Sequence, residues 1–231
     1  MKLQSLIRHE TFLALLLAVV LAVLSFQSDR FLTVANLLNQ GRLMTEIGLI
    51  AIAMTFVIAT GGIDLSVGSI LGLVAILTGV LWQNVGLPLP LAVVGAIAAG
   101  TLAGLGNGII ITRFGVPPLI ATLATLALYR GLAEGISQAR SVRGYPDWFY
   151  VLGQGEVLGV PTQLWILFLA AILASILLAY TRWGRTVYAI GSNEVASRFS
   201  GLSVERTKLA LYAASGFAAS VAAVIFVSRV S

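Results

Sequence analysis

Hydrophobic residues occur along the chain in long runs that short polar stretches separate. Seven runs stand out, at residues 11–27, 44–60, 65–82, 89–111, 117–133, 164–180 and 209–227. A helix needs about 17–25 mostly apolar residues to cross a bilayer, and a helix satisfies its own backbone polar groups inside lipid. The pattern therefore predicts an all-α, polytopic transmembrane bundle of about seven spans, organised as a single domain over residues 1–231.

Composition strengthens the membrane interpretation. Hydrophobic residues make up 58% of the chain and charged residues only 10%, and the mean hydropathy is +0.99. Soluble domains carry about 25% charged residues. The start MKLQSLIRHE resembles a signal peptide. However, no small-residue cleavage site follows it, so we interpret residues 11–27 as an uncleaved first span.

The basic residues predict the orientation of the chain. Cytoplasmic loops of membrane proteins are enriched in Lys and Arg, so the net charge of +5 does not require a nucleic-acid partner. With the N-terminus inside, the inside loops hold Lys2, Arg8, Arg113, Arg182, Arg185, Arg198, Arg206 and Lys208. The outside loops hold Arg30, Arg42, Arg140 and Arg143. Arg130 and Arg229 lie at the ends of predicted segments. The larger inside set favours an inside N-terminus.

Two predicted loops are long. The outer loop, 134–163, contains Tyr145, Trp148, Phe149 and Tyr150. Aromatic residues of this kind favour the membrane interface, so a segment lying on the outer surface is the favoured interpretation, and contact with an external partner is the alternative. The inner loop, 181–208, is too polar to cross the membrane.

The stretch 59-ATGGIDLSVGS-69 interrupts two apolar runs. Gly61 and Gly62 permit a sharp turn. Asp64 precedes the next run, where its carboxylate would accept N–H groups at a helix N-terminus. The alternative is a functional charge, because ionisable residues within membranes usually line a cavity or pair with a partner. Both interpretations are compatible with a broken helix in a substrate pathway.

A second glycine pattern lies in 100-GTLAGLGNG-108. Gly100, Gly104 and Gly108 fall on one helix face at four-residue spacing. Small residues at this spacing let membrane helices approach closely. The pattern predicts helix packing, either inside the bundle or between subunits.

The inner loop ends in 192-SNEVASRFSGLSVERTK-208. Asn193 would cap a short helix, Gly201 would end it, and a new helix would start near Ser203. Glu194 and Arg198 are four residues apart, on a different face from the apolar positions Val195, Phe199 and Leu202, which recur at helical spacing. Such a helix either rests on lipid or inserts into a groove on a cytoplasmic partner.

The sequence argues against an enzyme. His9 is the only histidine, and the chain has no cysteine, so neither a metal cluster nor a catalytic triad is predicted. No Walker phosphate-binding motif is present. Away from the segment ends we find essentially no ionisable pair within a predicted span. We expect no cofactor.

Three stretches together resemble one family. They are 60-TGGIDLSVGS-69, 107-NGIIITRFGVPPLIATLATLALYRGLA-133 and 184-GRTVYAIGSNEVASRFSGLSVERTK-208. The chain resembles, essentially from end to end, the permease subunit of ribose-type ABC sugar importers, and it is most similar to the branch of the rhamnose and quorum-signal furanone permeases. Members usually run to roughly 300 residues or more, so the resemblance implies that further spans are missing at the C-terminus.

The resemblance implies a mechanism and partners. Two permeases, identical or sister chains, would form the pathway in the bacterial inner membrane; a periplasmic binding protein would deliver the sugar, and a cytoplasmic ATPase would hydrolyse ATP. The coupling helix would comprise Asn193, Glu194, Arg198, Gly201 and Leu202. Gly61, Gly62, Asp64 and Ser66 would form the pathway break. The alternatives are an ion-coupled secondary transporter, which requires ionisable residues in its spans, and a truncated relative that does not transport.

Overall fold

The computed structural model describes residues 2–138 and 143–230, with the backbone alone for residues 2–10. Its helices are α1 (Lys2–Gln27), α2 (Val34–Ala59), α3 (Val67–Gly79, continued by a π-helical turn Val80–Asn84), α4 (Leu89–Arg113), α5 (Pro118–Ser137), α6 (Asp147–Gln154), α7 (Thr162–Tyr180), α8 (Arg182–Ser192), α9 (Glu194–Phe199) and α10 (Val204–Val230). A two-residue hairpin, β1 (Glu156–Val157) with β2 (Val160–Pro161), lies before α7.

The predicted all-α membrane bundle is confirmed. Within the described residues, six helices are long and apolar enough to cross a membrane: α2, α3 with its π turn, α4, α5, α7 and α10. The apolar part of α1, Thr11–Gln27, is a shorter seventh candidate. Each predicted run therefore corresponds to a helix.

Residues 1–43 form one compact unit, and residues 44–231 form a second. In the first unit, Thr33 caps the start of α2. Its hydroxyl oxygen accepts the Asn36 N–H at 3.3 Å, and the Asn36 side chain donates to the Phe31 carbonyl at 2.8 Å. These side chains satisfy backbone groups that a helix start leaves without an internal partner.

In the second unit, α10 packs against the glycine face of α4. A Cβ on Gly104 would overlap the Tyr212 carbonyl oxygen and would lie 2.9 Å from the Gly216 Cα. A Cβ on Gly100 would overlap the Ser220 hydroxyl, and one on Gly108 would lie 3.2 Å from the Leu209 Cα. The glycine face therefore contacts a helix of the same chain, and the two backbones touch because no side chain separates them.

The aromatic residues of the outer loop divide between the core and the surface. Tyr145 and Phe149 are buried, and the Tyr145 ring stacks on Trp82 at 4.5 Å between ring centroids. Trp148 remains 53% exposed. The prediction of a surface segment was thus wrong for Tyr145 and Phe149, because these rings pack against Val224 and Val227 near the C-terminal end of α10. Burial, reinforced by the nearby Tyr150, raises the pKa of the Tyr145 phenol to about 12. Residues 139–142 of this loop, including Arg140, lie outside the described residues.

The inner loop is shorter and more helical than predicted. It contains an additional amphipathic helix, α8, which buries Gly184, Val187 and Ile190. The last helix begins at Val204, as predicted from the start signal near Ser203, so Arg206 and Lys208 belong to its first turns.

The structure also corrects the expectation that the spans lack ionisable pairs. Helix α5 continues to Ser137, so Arg130 and Glu134 lie inside it and form an ion pair at 3.0 Å. Glu46 of α2 is buried and accepts a hydrogen bond from Arg229 of α10 at 2.9 Å. Neither pair was predicted, because Arg130 and Arg229 were assigned to segment ends.

Candidate functional site

The break between α2 and α3 is a tight turn. The Gly61 N–H donates to the Ile58 carbonyl at 2.9 Å, and the Gly62 N–H donates to the Val57 carbonyl at 3.0 Å. Gly61 has φ +75°, a conformation that side chains disfavour. A Cβ on Gly62 would lie 2.9 Å from the Tyr212 hydroxyl oxygen. The first glycine is therefore required by backbone conformation and the second by packing.

Asp64 follows this turn and is almost completely buried, at 1% exposure. One carboxylate oxygen accepts the Ser66 N–H at 3.0 Å and the Ser66 hydroxyl at 2.7 Å. The other oxygen accepts the Ser215 hydroxyl of α10 at 2.9 Å. The carboxylate thus joins the start of α3 to Ser215 of α10, 151 residues later in the sequence.

Further polar groups extend this cluster. The Asn107 side chain of α4 donates to the Ser66 hydroxyl oxygen at 2.7 Å. The Tyr129 hydroxyl of α5 donates to the Ala103 carbonyl at 2.9 Å and lies 3.4 Å from the Asn107 side-chain oxygen. The Tyr212 hydroxyl of α10 donates to the Ile63 carbonyl at 3.3 Å. The break is therefore connected by hydrogen bonds to α4, α5 and α10.

The position of Asp64 combines features of both interpretations from the sequence. Ser66 rather than Asp64 occupies the N-cap position of α3, and its side chain makes no capping hydrogen bond. The Asp64 carboxylate instead accepts a backbone N–H in the turn that leads into α3. This bond from a carboxylate to a nearby backbone N–H is the type of contact that the capping interpretation predicts. Its burial and its bond to Ser215 are tertiary features that a surface cap lacks.

Sequence reasoning missed four members of this cluster: Asn107, Tyr129, Tyr212 and Ser215. Asn107 lies between Gly104 and Gly108 on α4 and is completely buried. A polar amide within a glycine-rich membrane face was an available signal, because buried polar groups in spans require partners. Ser215, Tyr129 and Tyr212 carried no comparable signal, because serine and tyrosine are common in membrane helices.

On the predicted inner side, the segment from Asn193 to Leu202 has the geometry of a capped helix. The Asn193 side-chain oxygen accepts the Ala196 N–H at 2.9 Å. Gly201 has φ +80°, and the Leu202 N–H donates to the Ser197 carbonyl at 3.1 Å, closing the end of α9. These caps keep a six-residue helix ordered, although such a helix is too short to be stable alone.

The charged residues of this segment pair within the chain. The Lys208 ammonium lies 2.6 Å from the Glu194 carboxylate, and Arg198 lies 3.2 Å from Glu205 and 3.7 Å from Glu194. The pairs border a cavity of about 260 Å³ that also reaches the loop between α4 and α5. Glu194 and Arg198 therefore already have partners that fix α9 against the start of α10.

The apolar side chains of α9 remain uncovered. Phe199 is 90% exposed, and Val195 is 64% exposed. Phe114, in the loop between α4 and α5 that borders the same cavity, is also exposed. Leu202 is partly buried. Exposed aromatic groups around a polar cavity are typical of a protein–protein contact.

The described part of the chain contains no group of three or more His, Cys, Asp or Glu residues that would hold a metal ion. Two candidate functional regions therefore stand out in the described residues: a buried polar cluster at a helix break, and an exposed apolar helix beside a network of ion pairs. The polar cluster at the helix break suits a conformational change, and the exposed apolar helix suits binding to another protein.

Comparisons with known proteins place this architecture among transport proteins. The family model described as "Branched-chain amino acid transport system / permease component" matches residues 36–231. The chain is 36% identical over 230 residues to the ribose import permease protein of Haemophilus influenzae, covering 98% of this chain and 70% of that protein.

Two further relatives have comparable similarity. The ribose import permease protein of Escherichia coli K12 is 38% identical over 233 residues, covering 98% of this chain and 71% of the relative. The autoinducer 2 import system permease protein of Yersinia enterocolitica is 37% identical over 225 residues, covering 95% and 68%. No solved structure gives a significant match. The resemblance to ribose-type permeases inferred from the sequence is confirmed.

Proposed function

The chain belongs to the permease-component family of branched-chain amino acid transport systems, and from this premise we propose that it moves a monosaccharide or similar small polar solute into the cell as the membrane subunit of an ATP-driven importer. It is a multi-pass protein of the bacterial inner membrane. Its ribose and autoinducer 2 import relatives support this solute class. ATP hydrolysis takes place on a separate subunit, and this chain performs no enzymatic chemistry itself.

The buried cluster at Asp64 is the observation that carries the proposal. It joins the start of α3 to α4 and α10 through side-chain hydrogen bonds, at the point where the chain turns between α2 and α3. Alternating access requires helices that shift between two packed states. Gly61, Gly62, Asp64 and Ser66 form the pivot of this change in the proposed mechanism.

The segment from Asn193 to Leu202 transmits the action of the ATPase in this mechanism. Exposed Phe199 and Val195 insert into the cytoplasmic ATPase subunit. The ion pairs from Glu194 to Lys208 and from Arg198 to Glu205 connect α9 to α10. Movement of α9 is thereby passed to the helix that carries Ser215.

Three protein partners complete the proposed assembly. A cytoplasmic ATPase docks on α9, a periplasmic binding protein delivers the solute on the outer face, and a second permease, identical or a sister chain, closes the pathway. All spans contact the lipid bilayer or each other. Residues 1–231 act as one permease domain, and residues 181–208 face the cytoplasm.

Affinity purification tests the proposal directly. The tagged chain, extracted in mild detergent from cells that carry its complete transporter, is expected to retain an ATPase in stoichiometric amount, identified by mass. Uptake of labelled sugar into vesicles should then require internal ATP. An inserted and intact chain that retains no ATPase would overturn the importer assignment.

Substitution of Phe199 by Ser is expected to release the ATPase. A buried aromatic anchor in an interface commonly contributes at least 2 kcal/mol, which corresponds to roughly 30-fold weaker binding. Leu158→Ser is the matched control, because Leu158 is also 90% exposed but lies in the outer hairpin. The measurement is the ATPase retained per permease after washing. Equal retention by both variants would contradict the assignment of α9.

Charge reversal at Glu194 or Arg198 is expected to abolish uptake while membrane insertion stays normal. Arg198 pairs with Glu205. The exchange variant Arg198→Glu with Glu205→Arg therefore separates loss of this internal ion pair from loss of a contact that Arg198 makes with the ATPase. Recovery of uptake in the exchange variant would mean that the internal pair is what transport requires. Normal uptake in both single reversals would refute a role for these charges.

Ion-coupled transport is the second candidate. It predicts ionisable residues in the spans, and the structure contains Glu46 with Arg229 and Arg130 with Glu134. Uptake that follows an imposed proton or sodium gradient in vesicles without ATP would favour this candidate over the importer.

A further inference from the structure

A charged pair lies exposed on the surface of a membrane-spanning helix. Arg130 and Glu134 occupy successive turns of α5, with side chains 73% and 69% exposed, and their ion pair measures 3.0 Å. Arg130 is seven residues before the last residue of α5, which is about 10 Å of helix. Charged groups at such positions are costly in lipid and usually face water or a partner.

These side chains line a groove between α3 and α5. The groove has a volume of about 390 Å³, and Ser69, Gly68 and Gly72 form its opposite wall. A volume of this size lies within the usual range of small-molecule sites, about 300–1,000 Å³. The groove therefore has the capacity to hold a small solute, with Arg130, Glu134 and Ser69 as polar groups in a largely apolar lining.

The glycines of this groove differ from those of the α4–α10 contact. A Cβ on Gly68 or Gly72 would meet no atom within 4 Å, whereas a Cβ on Gly100 or Gly104 would overlap atoms of α10. The small residues of α3 thus leave space open instead of allowing a helix of this chain to approach.

The inner end of the groove adjoins the helix break. Leu65, the residue after Asp64, lines the groove. The Ser69 hydroxyl donates to the Ser66 carbonyl at 2.7 Å, and Ser66 itself binds the Asp64 carboxylate. A rearrangement of the break would therefore change the width of the groove.

We propose that the α3–α5 groove is a wall of the water-filled solute path, and that Arg130 and Glu134 bind the hydroxyl groups of a polyhydroxylated solute. The Arg130 guanidinium donates several hydrogen bonds, and the Glu134 carboxylate accepts hydrogen bonds. The pair therefore complements the vicinal hydroxyls of a sugar, each of which both donates and accepts. This inference rests on the proposed transport function.

The absence of cysteine from the chain permits a clean test. Leu126 lines the groove, and Leu173 of α7 lines an apolar groove between α2, α7 and α10. Leu126 lies eleven positions from the end of α5, and Leu173 lies eleven positions from the start of α7. Both are about 16 Å along their helices from the predicted outer ends, and Leu173 is the more exposed of the two.

Leu126→Cys and Leu173→Cys are compared in the assembled transporter in its native membrane, with a negatively charged, membrane-impermeant methanethiosulfonate. Only a hydrated thiol ionises readily. We expect the Leu126→Cys thiol to react at least about tenfold faster, since one unit of thiol pKa changes the thiolate fraction tenfold. Equally slow reaction of both would place the groove in lipid and overturn the proposal. If two Leu126→Cys chains form an oxidative cross-link while their thiols do not react with the methanethiosulfonate, the groove is a contact between protein chains. That result also overturns the proposal.

The solute is tested with ribose and a panel of hexoses as probes. A bound sugar is expected to slow labelling of Leu126→Cys, and the added substitution Arg130→Gln is expected to remove this protection. Labelling that no sugar slows would overturn the role of the charged pair. If sugar protection is present but the chain retains no ATPase, the importer assignment fails while the groove assignment stands.

Discussion

Substitution of Asp64 by Ala is expected to destabilise the protein severely. The carboxylate accepts hydrogen bonds from Ser66 and Ser215 in a fully buried site. Each hydrogen bond to a charged group contributes about 1.5–3 kcal/mol, and donors left unsatisfied add a desolvation cost. We expect a loss of about 3–6 kcal/mol in the free energy of unfolding. The measurement is the thermal midpoint of the detergent-extracted chain, followed by size-exclusion chromatography.

Two further variants separate stability from function at this site. Asn has the same shape and retains an oxygen for Ser66, so Asp64→Asn is expected to fold. Ser215→Ala removes a single bond and is expected to cost about 1–2 kcal/mol. If Asp64→Asn folds normally but transports nothing, the carboxylate has a charge-dependent role. A thermal midpoint of Asp64→Ala equal to that of the parent chain would refute the structural account of this cluster.

Substitution of Gly104 by Ala is the second change with a large expected effect. The added Cβ would overlap the Tyr212 carbonyl oxygen and lie within 3 Å of the Gly216 backbone. Backbone atoms cannot rotate away, so α4 and α10 must separate along their contact. Overpacking of this kind costs typically about 1–3 kcal/mol and occasionally more, and Gly104→Leu is expected to prevent recovery of folded protein.

Gly131→Ala is the matched control for this prediction. Gly131 lies within α5, and a Cβ there would meet no atom within 4 Å. Since Ala favours a helix over Gly by about 1 kcal/mol, this variant is expected to be neutral or slightly stabilising. Equal thermal midpoints for Gly104→Ala and Gly131→Ala would contradict the close packing of α4 and α10.

The hydrophobic pattern was sufficient to predict the spanning helices because the bilayer imposes length and polarity on each span. The resemblance carried by three polar motifs was sufficient for the family. The end of α5 was predicted less well: α5 continues past its apolar run to Ser137, because lipid selects apolar residues only in the centre of a span. For that reason the pair formed by Arg130 and Glu134 was missed.

The sequence also identified the break at Gly61, Gly62 and Asp64, because glycine and a carboxylate between apolar runs are unusual. It did not identify Ser215 and Asn107 as neighbours of Asp64. Hydrogen bonds between helices join positions that are far apart in the chain, and a serine in an apolar run gives no sign of its partner.

The sequence by itself thus determined the fold class, the family, the broken helix and the capped segment after Asn193, because each depends on local patterns of polarity, glycine and capping residues. Only the tertiary structure decided that Gly104 contacts α10, that Tyr145 is buried, that the charges of Glu194 and Arg198 are paired within the chain, and that Gly68 faces an open groove. These features depend on which helix faces are brought together, and periodicity along a single chain specifies a face but not its neighbour.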